Sequence, residues 1–335
     1  MPFFRNPNQT IGLDISDHIV RAVLLVNNHK IKQIKHFTQI PLNEGIINDG
    51  HIEDVTAFQK TVKKLMTKGI HAKTATAVVG LPESHGFVKT IYQENPEAIK
   101  EEIQKHLPFP YEEMAIDTVV KNGLLSFVAV KKDVIEQYLS ALLPLGFHIR
   151  ALEIESQAIA RLFAGKKIVS KNPNQAIIIG DIGHNHTTFV LVRNGLIEFT
   201  HTSKLISGKN LTEHLKQHFA IDYQEAEKIK LTQQDNPEVQ KIIDAHLTAL
   251  ANELKRVVNF HQEHPIGQVS NQYFVYIIGG SAKLKNLRQH LEAKIQYPVH
   301  QAQLSTEIIV PKKLQPQFLS YGTAIGLAIR DFNPL

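Results

Sequence analysis

Two aspartates in this chain stand where an apolar run opens into a polar turn. The stretch IGLDISDHIVRAVLL carries Asp14, and IIIGDIGHNHTTFVLVRNGLIEF carries Asp181. An acidic group at such a strand end can hold hydrated Mg²⁺, and the backbone N–H groups of the turn beside it can face phosphate oxygens. Around Asp181, Gly183 permits close backbone approach and Thr187 and Thr188 offer hydroxyls. A third element is Gly279-Gly280-Ser281, between a strand-like run and a helix-like run, where the free N–H groups of a helix start meet a ligand. Taken singly, each of these reads better as an ordinary tight turn. Their order is what points to a nucleotide: loop, domain, matching loop, then a Gly-Gly strand–helix junction. Two further groups hold chemistry-bearing side chains. His184 and His186 could begin a metal site, but no further ligands stand nearby in sequence, so a solvated loop is the better reading. Glu153 and Glu155 lie in an alternating stretch, LEIES, that predicts one shared strand face and a carboxylate pair.

The elements that must position these residues follow from periodicity. A strand, a turn at Asn27-Asn28 and a second strand follow Asp14. Ile52, Val55, Phe58, Val62, Leu65 and Met66 recur at spacings of three and four, which predicts a helix over 52–68 stopped by Gly69. ATAVVGLP reads as a buried strand. Residues 84–150 form a β-α-β-β-α block read as an insertion. In it, Asn95 caps a helix with Pro96 at its first position, a hairpin turns near Gly123, and Asp133 with Glu136 makes a capping box. After Asp181, Asn194-Gly195 is a strong hairpin signal, because both residues accept positive φ. Helices are predicted around Leu211–Phe219 and over 238–263. Ser281 reads as an N-cap. The small residues Gly322, Ala324, Gly326 and Ala328 predict close packing of a last helix.

Bulk properties bound the rest. At 335 residues, more than one lobe is expected. The 43% hydrophobic content supports a core, and no run approaches the roughly 20 apolar residues of a membrane helix. The first residues show no signal core, so a cytoplasmic protein is expected. The net charge of +5 comes from lysines scattered among glutamates, without aromatic–basic interleaving, which argues against nucleic acid. Cysteine is absent, which excludes disulfides.

As a set, these stretches resemble the actin-like ATPase superfamily and, within it, the PilM family of type IV pilus assembly proteins. IGLDISDHIVRAVLL is similar to the first phosphate motif, IIIGDIGHNHTTFVLVRNG to the second, ISGKNLTEHL to the segment after it, and VYIIGGSAKLKNLRQHL to the adenosine motif. LEIESQAIARLF resembles the first connecting motif and YGTAIGLAI the terminal helix. EIQKHLPFPYEEMAID and YQEAEKIK also fit. The resemblance implies an α/β fold of two RNase-H-like lobes with a small inserted α/β domain, as in the division protein FtsA. The lobes would be 1–83 with 151–174, and 175–204 with 271–335. The insertion would be 84–150 and a helical subdomain 205–270. It implies ATP as cofactor, contacted by Ser16, Asp17, His18, Arg21, Gly183, His184, Asn185, Thr187, Gly208, Lys209, Gly279, Gly280, Ser281 and Leu284. Mg²⁺ would be held through water by Asp14 and Asp181, with Glu155 matching the residue that positions attacking water. The implied partner is the N-terminal cytoplasmic tail of the membrane protein PilN, which would place the chain at the inner membrane. Other pilus platform or motor proteins are further partners, and self-association is open. Departures bear on turnover: Ser16 stands for a glycine, Asp17 adds negative charge, Arg21 replaces a lysine, and Ser207 replaces the first glycine of a pair. A division-type filament protein, a kinase of the same superfamily, and a nucleotide-free scaffold of a secretion or DNA-uptake machine are the alternatives.

Overall fold

The computed structural model describes residues 8–27, 31–71, 75–93, 95, 97–163, 175–267, 272–303 and 308–330. Asn28, Pro96 and the predicted lobe boundary near 174 lie outside them. The chain divides into two units.

The first unit holds Met1–Lys171, Gly195–Phe199 and Leu304–Leu335. Strands β1 (Gln9–Ser16), β2 (Ile19–Asn27) and β3 (Lys32–Pro41) form an antiparallel meander. A two-residue-per-strand hairpin, β4 (Ile47–Asn48) and β5 (His51–Ile52), leads to helix α1 (Val55–Thr67). Asp54 caps α1 by accepting the Ala57 N–H, and Phe58, Val62 and Leu65 are buried. The helix therefore starts three residues later than its periodicity predicts, because Ile52 is spent in β5. Strand β6 (Thr76–Leu81) then pairs parallel to β1. β2 and β6 pair with the two edges of β1, and both of its faces are buried: Ile11, Leu13 and Ile15 on one, Thr10 and Asp14 on the other, where the last helix packs at Gly12.

The insertion has the predicted order: β7 (Gly86–Tyr92), α2 (Ile99–Gln104), β8 (Met114–Lys121), β9 (Leu124–Lys131) and α3 (Lys132–Leu142). Its own small core joins Ile103, Leu125 and Phe127 with Phe87, Ile91 and Ile116. Caps differ from expectation. Asn95 accepts the Glu97 N–H in a turn, while α2 begins only at Ile99. Asp133 bonds its neighbour's N–H, and α3 begins at Lys132. The parent sheet resumes with β10 (His148–Ile154), parallel to β6, then α4 (Glu155–Phe163).

The last helix, Gly322–Ala328, belongs to this unit, whereas the sequence reading put 271–335 in the second lobe. The reason is close packing. A Cβ on Gly12 would sit 1.9 Å from the Ala324 carbonyl oxygen, and one on Gly326 would sit 2.0 Å from that of Ala158. The predicted small residues are thus the contact surface, against β1 and α4.

The second unit holds Asn172–Asn194 and Thr200–Gln303. Strands β11 (Ala176–Ile182) and β12 (Thr187–Arg193) form a hairpin, and β13 (Leu196–Ser203) follows the Asn194-Gly195 turn, whose φ values are 55° and 77°. Helices α5 (Gly208–Phe219), α6 (Tyr223–Thr232) and α7 (Pro237–Glu263) come next. Then β14 (Tyr273–Ile278) pairs parallel to β11, α8 (Leu287–Ile295) follows, and β15 (Val299–Gln301) pairs parallel to β14. The strand orders β10-β6-β1-β2-β3 and β15-β14-β11-β12-β13 are the same order built twice. The repeat first seen as two similar hairpins is a repeat of topology.

Candidate functional site

In the first unit the aspartate hairpin is tight. Ser16 pairs with Ile19, leaving Asp17-His18 as a two-residue turn. Ser16 Oγ lies 3.3 Å from His18 Nδ1 and donates to the Ile19 carbonyl at 3.1 Å, so its hydroxyl is turned into its own hairpin. Asp14, 5% exposed, stands opposite Arg21 in the ladder, and Arg21 Nη1 lies 3.4 Å from Asp14 Oδ2. The Arg21 guanidinium also sits 6.0 Å from the centroid of the Tyr321 ring. Burial pushes the Asp14 carboxyl up to about 6; Arg21 opposes this, and the charge of Glu155 adds to it. Asp14 is an under-compensated buried acid. A hydrated divalent cation would supply the missing positive charge, and a carboxylate oxygen is a donor that suits Mg²⁺.

Glu153 and Glu155 do not share a strand face, which corrects the carboxylate-pair reading. The strand ends at Ile154 and Glu155 opens α4. Glu153 is buried and takes Arg161 at 2.7 and 2.8 Å and Arg330 Nε at 2.6 Å, while Arg161 also donates to the Gly326 carbonyl at 3.0 Å. It is a tie among β10, α4 and the last helix. Glu155 acts electrostatically on Asp14. The start of α4 is held by a residue that sequence reading missed: Glu83 Oε2 accepts the Ser156 N–H at 3.0 Å.

Asp17 is engaged as well. Its carboxylate accepts the N–H groups of Asp49 at 3.1 Å and Gly50 at 3.0 Å, in the β4–β5 turn. The carbonyl of that same Gly50 accepts the Tyr138 hydroxyl of α3 at 3.0 Å. One residue earlier on α3, Gln137 exchanges hydrogen bonds with Ile52 at 3.0 and 3.2 Å. The chain Asp17, Gly50, Tyr138 therefore links the first loop to the insertion. Neither Gln137 nor Tyr138 carries a local signal, since the link spans residues far apart in sequence.

In the second unit the loop is longer. Ile182 pairs with Thr187, leaving Gly183, His184, Asn185 and His186 between the strands. The Gly183 N–H donates to the His186 carbonyl at 3.0 Å, closing the turn. Gly208 and Lys209, at the start of α5, donate their N–H groups to the Gly183 and His184 carbonyls at 3.0 and 2.8 Å. Thr187 Oγ1 donates to the Ile206 carbonyl at 2.6 Å, and Thr188 Oγ1 lies 3.0 Å from Thr202 Oγ1. These hydroxyls and helix-start amides brace the loop. Ser207, in place of a glycine, caps α5 by accepting the Asn210 N–H at 3.2 Å. Lys230, also missed, donates to the Gly208 carbonyl, Thr212 Oγ1 and Glu227 Oε2 at 3.2, 2.8 and 2.6 Å, and burial holds its ammonium below the usual range.

The Gly-Gly junction reaches the same place. Gly279 has φ 96°, and a Cβ there would sit 2.3 Å from Asp181 Oδ1 and 2.5 Å from the Ile182 carbonyl oxygen. A Cβ on Gly208 would sit 2.7 Å from Ser281 Oγ. A Cβ on Gly280 meets nothing within 4 Å. Ser281 is not an N-cap: Gly280–Lys283 is a single 3₁₀ turn, Leu284 is buried, and α8 begins at Leu287 after Asn286 at φ 59°. Asp181, the 183–186 loop, the start of α5 and the 279–281 turn thus converge within one unit, with open backbone at Gly280. Among the described residues no three His, Asp or Glu side chains converge as a metal site, so Mg²⁺ would depend on water and phosphate for its remaining ligands.

A family model described as type IV pilus assembly protein PilM matches residues 12–332. Among solved structures, a PilM-PilN type IV pilus biogenesis complex matches with a TM-score of 0.82 at 22% identity, covering 97% of this chain and 99% of that one. The ethanolamine utilization protein EutJ from Carboxydothermus hydrogenoformans matches at 0.60 and 16%, covering 97% and 90%. MreB5 of Spiroplasma citri bound to ADP matches at 0.58 and 14%, covering 99% and 97%. At these identities the likeness is one of fold: actin-like, two α/β lobes with a small domain inserted in the first. No described helix is long and apolar enough to cross a membrane.

Proposed function

The chain belongs to the PilM family of type IV pilus assembly proteins, and from that premise we propose that it is a nucleotide-responsive scaffold of the pilus platform. It binds ATP with Mg²⁺ and holds the N-terminal cytoplasmic tail of PilN, through which it sits peripherally at the inner membrane. The observation that carries the nucleotide reading is the duplicated strand order with an aspartate at the same strand end in each copy, Asp14 and Asp181. The aspartate at that strand end, Asp14 in the first unit and Asp181 in the second, is in each the residue to hold Mg²⁺ through water; in the second unit the 183–186 loop faces phosphate, and Gly279, Gly280 and Ser281 face the adenosine. When bound, the metal neutralises phosphate charge. Gly208, Lys209, Thr187 and Ser207 act by holding the loop in shape, and Ser16, His18 and Arg21 shape the first hairpin.

Turnover is slow or absent. Hydrolysis needs an aligned water and neutralised γ-phosphate charge. Glu155 is the candidate for the water, yet the first loop is a tight two-residue turn whose Ser16 hydroxyl is internally bonded, and Arg21 is committed to Asp14. Occupancy is then the signal. The link from Asp17 through Gly50 to Tyr138 supports a path by which the first loop biases the insertion, residues 84–150, whose groove with the adjoining lobe takes the tail peptide.

Calorimetry with Mg-ATP and with a synthetic PilN tail tests this reading. Asp181→Ala is expected to abolish Mg-ATP binding, and deleting the insertion to abolish tail binding. Unchanged affinity in Asp181→Ala would remove the metal assignment. Robust phosphate release that disappears in Glu155→Ala would show an enzyme instead of an occupancy switch.

A further inference from the structure

Lysines in this chain mostly share their helix with glutamates, and α1 is the exception. Among the described helices it is the one that carries several lysines and no acidic residue. Phe58, Thr61, Val62 and Leu65 are buried and fall on one side of it. Lys60, Lys63 and Lys64 stand on the opposite side with Thr56 and Thr67, and Lys68 flanks them; all six are exposed. The pairs Lys60–Lys63, Lys60–Lys64 and Lys64–Lys68 lie three or four residues apart, where like charges repel and weaken a helix. The helix dipole favours cations at the C-terminal end, which accounts for Lys64 and Lys68 but not for Lys60 or Lys63. The acids closest in sequence, Glu53 and Asp54, precede the helix, and the Asp54 carboxylate accepts the Ala57 N–H at 2.9 Å. Among the described residues none of the four ammonium groups joins an ion pair or a hydrogen bond. The fold therefore gathers positive charge on this face and leaves it uncompensated.

We propose that this face of α1 rests on an anionic lipid surface. The contact goes beyond the partner-held seating proposed above, because it is made by the chain itself and needs neither nucleotide nor tail. Charge complementarity selects the occupant. From Lys60 to Lys68 the stripe runs about 12 Å along the helix. Ammonium groups are compact, hydrated point charges that need no bidentate partner, which suits a layer of mobile phosphate headgroups. The residues beside the lysines on this face are threonines, and the exposed Val55 lies to one side at the first position of the helix. A peptide would find charge there without an apolar anchor, and a nucleic acid would find no ring for a base to stack on. Each lysine near an anionic bilayer strengthens binding by about fivefold. The attraction decays over a Debye length, about 8 Å at physiological salt. Four lysines are thus weak alone and act as the second of two membrane signals, beside the tail of a membrane-held partner.

The test is co-sedimentation of the full chain, without nucleotide or tail peptide, with vesicles of phosphatidylglycerol and phosphatidylcholine in equal parts. The parent chain is expected to bind these vesicles, to bind pure phosphatidylcholine far less, and to release as salt rises. Lys60→Glu, Lys63→Glu and Lys64→Glu together should weaken binding by about tenfold or more. A control reverses three exposed lysines of the second unit, Lys241→Glu, Lys255→Glu and Lys294→Glu, which gives the same net charge. It should bind like the parent. Equal loss in both triple variants would show that net charge alone is read, and would overturn the proposal. So would parent binding no stronger to the anionic vesicles than to the neutral ones. Lysine-dependent binding to polyglutamate with none to vesicles would assign the face to an acidic protein instead. Lys60→Gln, Lys63→Gln and Lys64→Gln together keep helix propensity. This triple should also lose binding while its thermal melt matches the parent's, which excludes misfolding as the cause.

Discussion

At the scale of single residues, neighbouring glycines have separate tasks. Gly279 lies at positive φ with no space for a Cβ beside Asp181, while Gly280 faces open space. Gly279→Ala is expected to destabilise the second unit by about 1–3 kcal/mol through overpacking and strain. Gly280→Ala should leave the melting temperature unchanged and weaken nucleotide binding. Denaturant titration and calorimetry on both variants check the contrast. A second residue-scale prediction concerns His246 in α7. It is buried, its Nε2 has no hydrogen-bond partner, and burial pushes its imidazole down to about 4, with His214 and Lys230 adding to the effect. The folded state keeps it neutral while the unfolded chain protonates it below about 6.5. Stability is therefore whole above pH 6.5 and falls as pH drops toward 4, by roughly 3 kcal/mol in total. His246→Leu should flatten that part of the pH profile in urea titrations between pH 4 and 7.5. An unchanged profile would show that another group titrates.

At the scale of elements, the last helix is fastened to β1 and α4 by absent side chains and one buried ion cluster. Gly326→Val would drive a side chain into the Ala158 carbonyl. Arg161→Met would leave Glu153 with Arg330 alone. The first is expected to cost about 1–3 kcal/mol and the second about 3–5 kcal/mol, both read by thermal unfolding. The β4–β5 turn is the other element with a task. It takes Asp17 on one side and Tyr138 on the other through Gly50. Asp17→Asn together with Tyr138→Phe should leave nucleotide and tail affinities near normal when each ligand is measured alone, and should weaken the effect of one on the other.

At the scale of the whole molecule, coupling is reciprocal. If Mg-ATP raises tail affinity five-fold, the tail must raise Mg-ATP affinity five-fold. Titrations in both orders check this, and independence of the two ligands would leave the chain a scaffold without a switch.

The duplicated hairpin, the insertion and the small-residue helix were legible in the sequence because each is a local pattern: apolar periodicity, positive-φ turn pairs, glycines at fixed spacing. The aspartates Asp14 and Asp181 were legible for the same reason, as interruptions at the ends of apolar runs. Roles set by distant partners were not. LEIES alternates like a strand, yet a helix begins at Glu155, where Glu83 holds the Ser156 amide and Glu153 is drawn into the Arg161–Arg330 cluster. Asp17 reads as a charge beside phosphate, but two amides more than thirty residues away claim it. Gly208 and Thr187 read as phosphate contacts, while the fold spends the Gly208 amide and the Thr187 hydroxyl on bracing the loop. The sequence alone determined which backbone turns form and in what order. Only the tertiary structure decided which side chains remain for a ligand, because a buried polar group must find its partner wherever packing places one.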